Sequence, residues 1–297
     1  METSPSQCVG CTTEIQEKFL EIDGARMRYL QAGSGPPLVF IHGLLGYSFS
    51  WRFTLPAVAP FATAYAIDML GAGFSDRPSD LDCSLRGSST RVLEFIRSLG
   101  LTSFDLVGTS HGGGVAMMLA ALCAELPQPK LRRLVLVAPI NPWSGHGQRF
   151  APFMASPAMS AFFKVAVIAM PWTHHYWLAR MYGDPHRIPE GTLDGYRAPY
   201  RKGEDFDTGL KIAGRWNEDM RDLESILPKL ASYPTLLLWG SRDPAVYASS
   251  AQSLRHVFRD CRLRIFEGVG HLPYEEAPEE FNRELISFLT SKPSSSE

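Results

Sequence analysis

The feature that most constrains this chain is the junction Gly108-Thr109-Ser110-His111-Gly112, a G-x-S-x-G sequence set between two segments of opposite character. Phe104 to Val107 is a short apolar run of strand type, and Val115 to Ala124 is rich in Ala, Met and Leu, as a buried helix is. A strand that turns into a helix within one or two residues crowds the corner. Small neighbours at 108 and 112 relieve the crowding and leave Ser110 projecting from the turn with its hydroxyl exposed. The helix also aims its N-terminal N–H groups at this place, where they can hold developing negative charge. By itself the pattern also arises in ordinary loops, where Ser only caps a helix, so the rest of the chain must decide.

Upstream, Leu38 to Ile41 is a continuous apolar run, as in a strand buried on both faces, and it ends in His42-Gly43-Leu44-Leu45-Gly46. A flexible loop there can turn a backbone N–H toward the serine, with Leu44 as donor and His111 as the second. Two such amides form an oxyanion hole, and one donor is worth roughly 3–4 kcal/mol in the transition state. The His42 imidazole is expected to brace its loop rather than act as a base. Downstream, Pro234 to Trp239 and Arg262 to Phe266 are further strand-like runs, followed by loops carrying Asp243 and His271. An acid and a histidine on loops after successive strands are what acyl transfer from a serine needs.

With Asp68-Met69-Leu70-Gly71-Ala72-Gly73-Phe74-Ser75 added, these pieces resemble the α/β-hydrolase superfamily, over nearly everything from about Phe19 to Leu289. The resemblance implies an α/β fold: a mostly parallel eight-stranded sheet with helices on both faces and an inserted α-helical cap. It places the core at 19–140 and 231–290, the cap at 141–230, and flexible termini at 1–18 and 291–297. It gives Ser110, Asp243 and His271 as nucleophile, acid and base, with no metal or organic cofactor. The Asp68–Ser75 segment is expected to be a turn whose glycines allow positive φ. Glu267 ends a strand, and Glu275 and Glu276 are expected merely to favour the helix beginning near Pro278, which leaves the acid role to Asp243.

The alternation of strand-like and helical runs agrees with helices covering both faces of a parallel sheet. Asp23-Gly24 marks a hairpin before it, and Leu85 to Leu99 has helical spacing. A net charge of −2 with scattered Lys and Arg gives no footing for nucleic acid, and Arg132-Arg133 is read as a solvated pair. The five cysteines, at 8, 11, 83, 123 and 261, make no disulfide framework. Cys8-x-x-Cys11 has no second pair to complete a metal site. The polar first residues lack a secretion signal and no apolar stretch is long enough to span a bilayer, so a cytoplasmic location without integral membrane association is expected.

Between about 141 and 230 the strand pattern stops, and the segment from 150 to 177 holds Phe150, Phe153, Phe162, Phe163, Trp172, Tyr176 and Trp177. Most must pack the cap onto the body, but Phe150, Phe153, Trp172 and Trp177, with Leu272 after the histidine, are candidates for a substrate pocket. His146, His174, His175 and His186 lie in the same region without a recognisable zinc spacing.

Dehalogenases and epoxide hydrolases of the superfamily place Asp where this chain has Ser110, so an acyl-enzyme is implied rather than an alkyl ester of the enzyme. The expected partner is a hydrophobic small-molecule ester, handled by a monomer or homodimer. Carbon–carbon bond hydrolases share the triad but usually carry Asn and Trp where Thr109 and Leu272 stand here. Proline iminopeptidases show Trp at the position of His111. A non-catalytic receptor on the same scaffold is a third alternative.

Overall fold

The computed structural model describes residues 14–144, 153, 156–162, 170, 172–200 and 206–291. Strand β1 (Gln16–Ile22) begins ahead of the expected core boundary at residue 19 and pairs antiparallel with β2 (Ala25–Ala32). The turn between them is Asp23-Gly24, with φ of 54° and 71°. Two successive positive φ values give the hairpin a twist that matches its strands, as the sequence pattern predicts.

Six further strands complete the sheet: β3 (Pro37–Ile41), β4 (Thr63–Ile67), β5 (Ser103–Thr109), β6 (Lys130–Val137), β7 (Thr235–Gly240) and β8 (Cys261–Phe266). Their order is β1-β2-β4-β3-β5-β6-β7-β8, antiparallel through β1, β2 and β4 and parallel from there on. The inner strands are apolar throughout because both faces are covered. Val39 and Ile41 enter one core cluster while Leu38 and Phe40 enter the other, and Leu237 and Trp239 divide from Leu236 and Leu238 in the same way. At the edge, β8 alternates exposed arginines with half-buried residues.

Helices α1 (Leu55–Val58), α2 (Leu85–Ser98) and α3 (Ser110–Ala124) follow β3, β4 and β5. Ser84 caps α2 by accepting the Gly87 N–H at 2.9 Å. Helix α3 is buried on almost every side, which is why its sequence is apolar all round. Between β6 and β7 every regular element among the described residues is helical, including α4 (Trp172–Met181), α5 (Thr192–Arg197), α6 (Asp207–Gly214) and α7 (Trp216–Ile226). Helix α8 (Ser250–Arg255) precedes β8, and α9 (Pro273–Glu276) and α10 (Pro278–Thr290) close the chain. No helix among the described residues is long and apolar enough to cross a membrane.

Two sequence expectations are corrected. Arg132 is not simply solvated: its guanidinium forks onto the buried carboxylate of Asp105 on β5 at 2.8 and 3.1 Å, and Arg133 lies 3.6 Å from the same group. The charge is needed because a carboxylate within the sheet must be paired. Glu275 and Glu276 are fully buried side chains rather than surface acids at a helix start. The first turn of α10 takes Glu279 and Glu280 instead.

Candidate active site

The corner between β5 and α3 is sharp. Ser110 has φ of 52°, a left-handed conformation that an L-residue adopts only when its surroundings impose it. Its carbonyl is held by the Ile140 N–H at 3.0 Å. Glycine is required on either side: a Cβ on Gly112 would stand 2.1 Å from the His42 carbonyl oxygen, and one on Gly108 would stand 2.4 Å from that of Gly112. The helix thus starts against the loop that follows β3. The His111 amide is among the first-turn N–H groups that have no acceptor within the helix.

That loop turns tightly at Gly43–Gly46, closed by the Gly46 N–H on the Gly43 carbonyl at 3.1 Å, with Leu45 at φ of 59°. Leu44 sits in this turn, and its neighbour Gly43 would bring a Cβ within 3.7 Å of the Ser110 hydroxyl oxygen. His42 is a brace. Its Nε2 accepts the Met69 N–H at 3.0 Å, so the proton is on Nδ1, which donates to the Gly43 carbonyl at 2.8 Å. Burial keeps this imidazole neutral by lowering its pKa. Asp68, just before Met69, accepts the Ser48 and Phe74 N–H groups and the Arg28 guanidinium, and Gly71 and Gly73 take positive φ, so this segment is a structural turn as expected.

Asp243 and His271 come from the loops after β7 and β8, at the carboxyl edge of the sheet where Ser110 also stands. The Asp243 Oδ2 meets His271 Nδ1 at 2.7 Å, and its Oδ1 accepts the N–H groups of Ala245 and Val246 at 2.8 and 2.9 Å. The carboxylate is therefore fixed on both oxygens. It fixes in turn the tautomer of a neutral His271, with Nδ1 protonated and Nε2 carrying the free electron pair. The His271 N–H donates to the Met181 carbonyl at 2.7 Å, which ties this loop to the end of α4.

Sequence reasoning missed the groups that secure this tie. Glu276 Oε2 accepts the N–H groups of Gly270 and Gly183 at 2.7 and 2.9 Å, and Oε1 accepts that of Asp184 at 2.9 Å. Glu275 receives both arms of the Arg52 guanidinium at 2.9 and 3.1 Å, the Tyr182 hydroxyl at 2.6 Å and the Tyr196 hydroxyl. Arg52 also donates to Thr192 at 2.9 Å and stacks on Phe49 and Phe53. The helical insertion and the histidine loop are thus held by one buried polar network. The only sequence hint was a pair of adjacent acids close after a histidine.

The pocket residues are placed unevenly. Phe150 lies outside the described residues, as do Phe163, His146, Cys8 and Cys11, and the side chain of Trp172 is likewise not described. Phe153 and Trp177 are about half exposed, at 56% and 48%. Leu272 is half-buried against the core cluster that holds Phe266 and Tyr274. A small cavity lies under the Gly43–Leu45 turn, lined by Met69, His111, Tyr200 and Ile212 among others, and neither Ser110 nor His271 is in its lining.

Residues 38–284 match the alpha/beta hydrolase family. Haloalkane dehalogenase 2 of Mycobacterium tuberculosis is 26% identical over 92% of this chain and 94% of its own length. Among solved structures, epoxide hydrolase CorEH superposes with a TM-score of 0.81 at 24% identity, covering 93% of this chain and 99% of that one. The 2-hydroxy-6-oxo-6-phenylhexa-2,4-dienoate hydrolase of a Rhodococcus species gives 0.78 at 19% identity, over 94% and 100%. These neighbours share the sheet, and their named activities differ from one another. The match along most of its length, on this sheet order and this strand–serine–helix corner, makes the chain a member of the alpha/beta hydrolase family.

Proposed function

We propose that this protein is a serine carboxylesterase acting on hydrophobic esters through an acyl-enzyme. Ser110 attacks the ester carbonyl carbon while His271 Nε2 takes its proton. Asp243 holds the imidazole and stabilises the imidazolium, and the amides of Leu44 and His111 receive the oxyanion. The proton then passes to the leaving alkoxide, and water, deprotonated by the same imidazole, releases the acid. The helical segment 141–230 serves as a cap over this site. The observation that carries the reading is the pairing of a strained serine at the strand–helix corner with an anchored Asp243–His271 pair at the same sheet edge. A serine oxygen leads to acyl transfer, whereas the carboxylate nucleophile of the dehalogenase and epoxide hydrolase type, as the superfamily resemblance describes it, leads to an alkyl ester of the enzyme.

The test is steady-state hydrolysis of p-nitrophenyl esters from acetate to dodecanoate, with Ser110→Ala alongside and fluorophosphonate labelling of both proteins. Turnover and labelling that vanish together in the variant support the reading. Labelling without turnover on any ester would move the assignment to carbon–carbon bond hydrolysis. Absence of both in a folded protein would leave a ligand receptor.

A further inference from the structure

Helix α4 is fixed at one end and open to solvent along one side. Its end forms part of the footing of the histidine loop: the Met181 carbonyl accepts the His271 N–H at 2.7 Å, and Gly183 just beyond donates to Glu276 at 2.9 Å. His174 packs edge-on against Phe206 from the inner side. On the outer side stand Tyr176 and Trp177, 50% and 48% exposed, with ring centroids 5.5 Å apart and planes at 73°. Successive helix residues turn by about 100°, so Arg180 falls between those two rings on the same face. Arg180 is itself exposed, and its guanidinium carbon lies 5.9 Å from the Tyr176 ring centroid. Two large exposed rings side by side, on a helix whose position is fixed, mark a contact surface rather than scattered surface apolarity.

The charge of this stretch selects the partner. The chain has 31 acidic residues, yet none lies between Glu125 and Asp184, and 141–183 carries Arg149, Lys164 and Arg180 with no carboxylate. Two copies of such a face repel each other, so its complement is anionic. Phenol and indole rings favour the headgroup level of a bilayer, where the ring body leaves water while the O–H or N–H stays wet, and an arginine on a long stem meets lipid phosphates at the same depth. We propose that the outer face of α4 is a docking surface for a bilayer containing anionic phospholipid, with Tyr176 and Trp177 seated among the headgroups and Arg180 against their charges. Trp177 and Met181 are one turn apart, about 6 Å along the helix axis, so docking sets the histidine loop close to the surface where apolar esters collect. That consequence alone rests on the esterase reading.

The experiment is co-sedimentation of the full chain with sucrose-loaded vesicles of phosphatidylcholine, with and without phosphatidylserine, at low and high salt. The parent should bind the phosphatidylserine vesicles, lose affinity as salt rises, and bind pure phosphatidylcholine far less. Trp177→Ala should weaken binding by about tenfold or more and Arg180→Gln by about fivefold. Phe61→Ala removes a ring of the same exposure, 48%, ahead of β4 at the opposite edge of the sheet, and should leave binding unchanged. Circular dichroism checks that each variant is folded. Should Trp177→Ala not be, Arg180→Glu decides, and its charge reversal should weaken binding by about thirtyfold. Absence of binding to phosphatidylserine vesicles at low salt overturns the proposal, as does binding that survives Trp177→Ala and Arg180→Glu or falls equally with Phe61→Ala. Without vesicle binding, a concentration-dependent dimer lost in Trp177→Ala gives the face to a second copy, and capture by poly-glutamate gives it to an acidic protein; either result overturns the lipid assignment. No turnover enters these readouts, so the docking surface and the esterase reading fail separately.

Discussion

Glu276 accepts the backbone N–H of Gly270 at 2.7 Å, so a buried carboxylate grips the residue immediately before His271. The same carboxylate takes the N–H groups of Gly183 and Asp184 from the helical insertion. Three backbone donors thus converge on the two oxygens of this one side chain. Glu276→Gln would turn an NH2 toward at least one of these amides. The expected cost is about 1–3 kcal/mol of stability and, because the histidine loop shifts, a tenfold to hundredfold loss in kcat. Urea unfolding together with ester kinetics checks this. A variant that loses stability but keeps kcat would confine Glu276 to a structural role.

Arg52 and Glu275 are the charged centre of the second half of the network. Arg52→Met would leave a buried carboxylate with two tyrosine hydroxyls and no counter-charge. A loss of about 3–5 kcal/mol is expected, well above the median for a surface ion pair. Denaturant midpoints for Arg52→Met and for the exposed pair variant Arg215→Met measure the contrast. Equal small effects would show that the Arg52 pair is solvated in solution.

The left-handed conformation of Ser110 predicts a difference between two inactive variants. Glycine adopts φ of 52° without a Cβ clash, so Ser110→Gly should be more stable than Ser110→Ala by about 1 kcal/mol. Both should lose several orders of magnitude in kcat. If alanine proves the more stable, the corner is relaxed in solution.

Asp219 sets a pH dependence of stability. It is buried where α7 meets the start of α2, accepts the Leu85 N–H at 3.2 Å, and burial raises its pKa to about 6. Below about pH 4 the carboxyl is protonated in both folded and unfolded chains, and no differential cost arises. As pH rises the unfolded chain ionises first, so stability falls until the folded group ionises near 6, and the loss persists above that. Asp219→Asn keeps an acceptor for Leu85 and cannot ionise. It should exceed the parent by about 2 kcal/mol at about pH 8 and converge with it near pH 4. A constant difference across this range would remove Asp219 as the cause.

The fold was legible because its signals are local. Leu38–Ile41 and Pro234–Trp239 read as strands from a continuous apolar run, since a strand covered on both faces has no polar side to show. Asp23-Gly24 read as a hairpin because few residue pairs take two positive φ values. Ser110 was legible from the small residues that its crowded corner demands, and the Asp243 and His271 loops from their places after strands.

What the sequence alone determined is therefore the order of strands and helices and the loops that carry the three polar residues of the proposed mechanism. Tertiary structure decided which acids are buried and against what. Glu275 and Glu276 look like helix-start acids until Arg52, Tyr182, Tyr196 and the Gly183–Asp184 backbone arrive from far away in the chain. Arg132 looks solvated until the sheet brings Asp105 beside it. The cavity, too, is a product of packing: helix α6 and Tyr200 close over the Gly43–Leu45 turn, while the conspicuous Phe153 and Trp177 stay exposed. Periodicity records which face of an element is buried, but the partner across that face is set by contacts between residues distant in sequence.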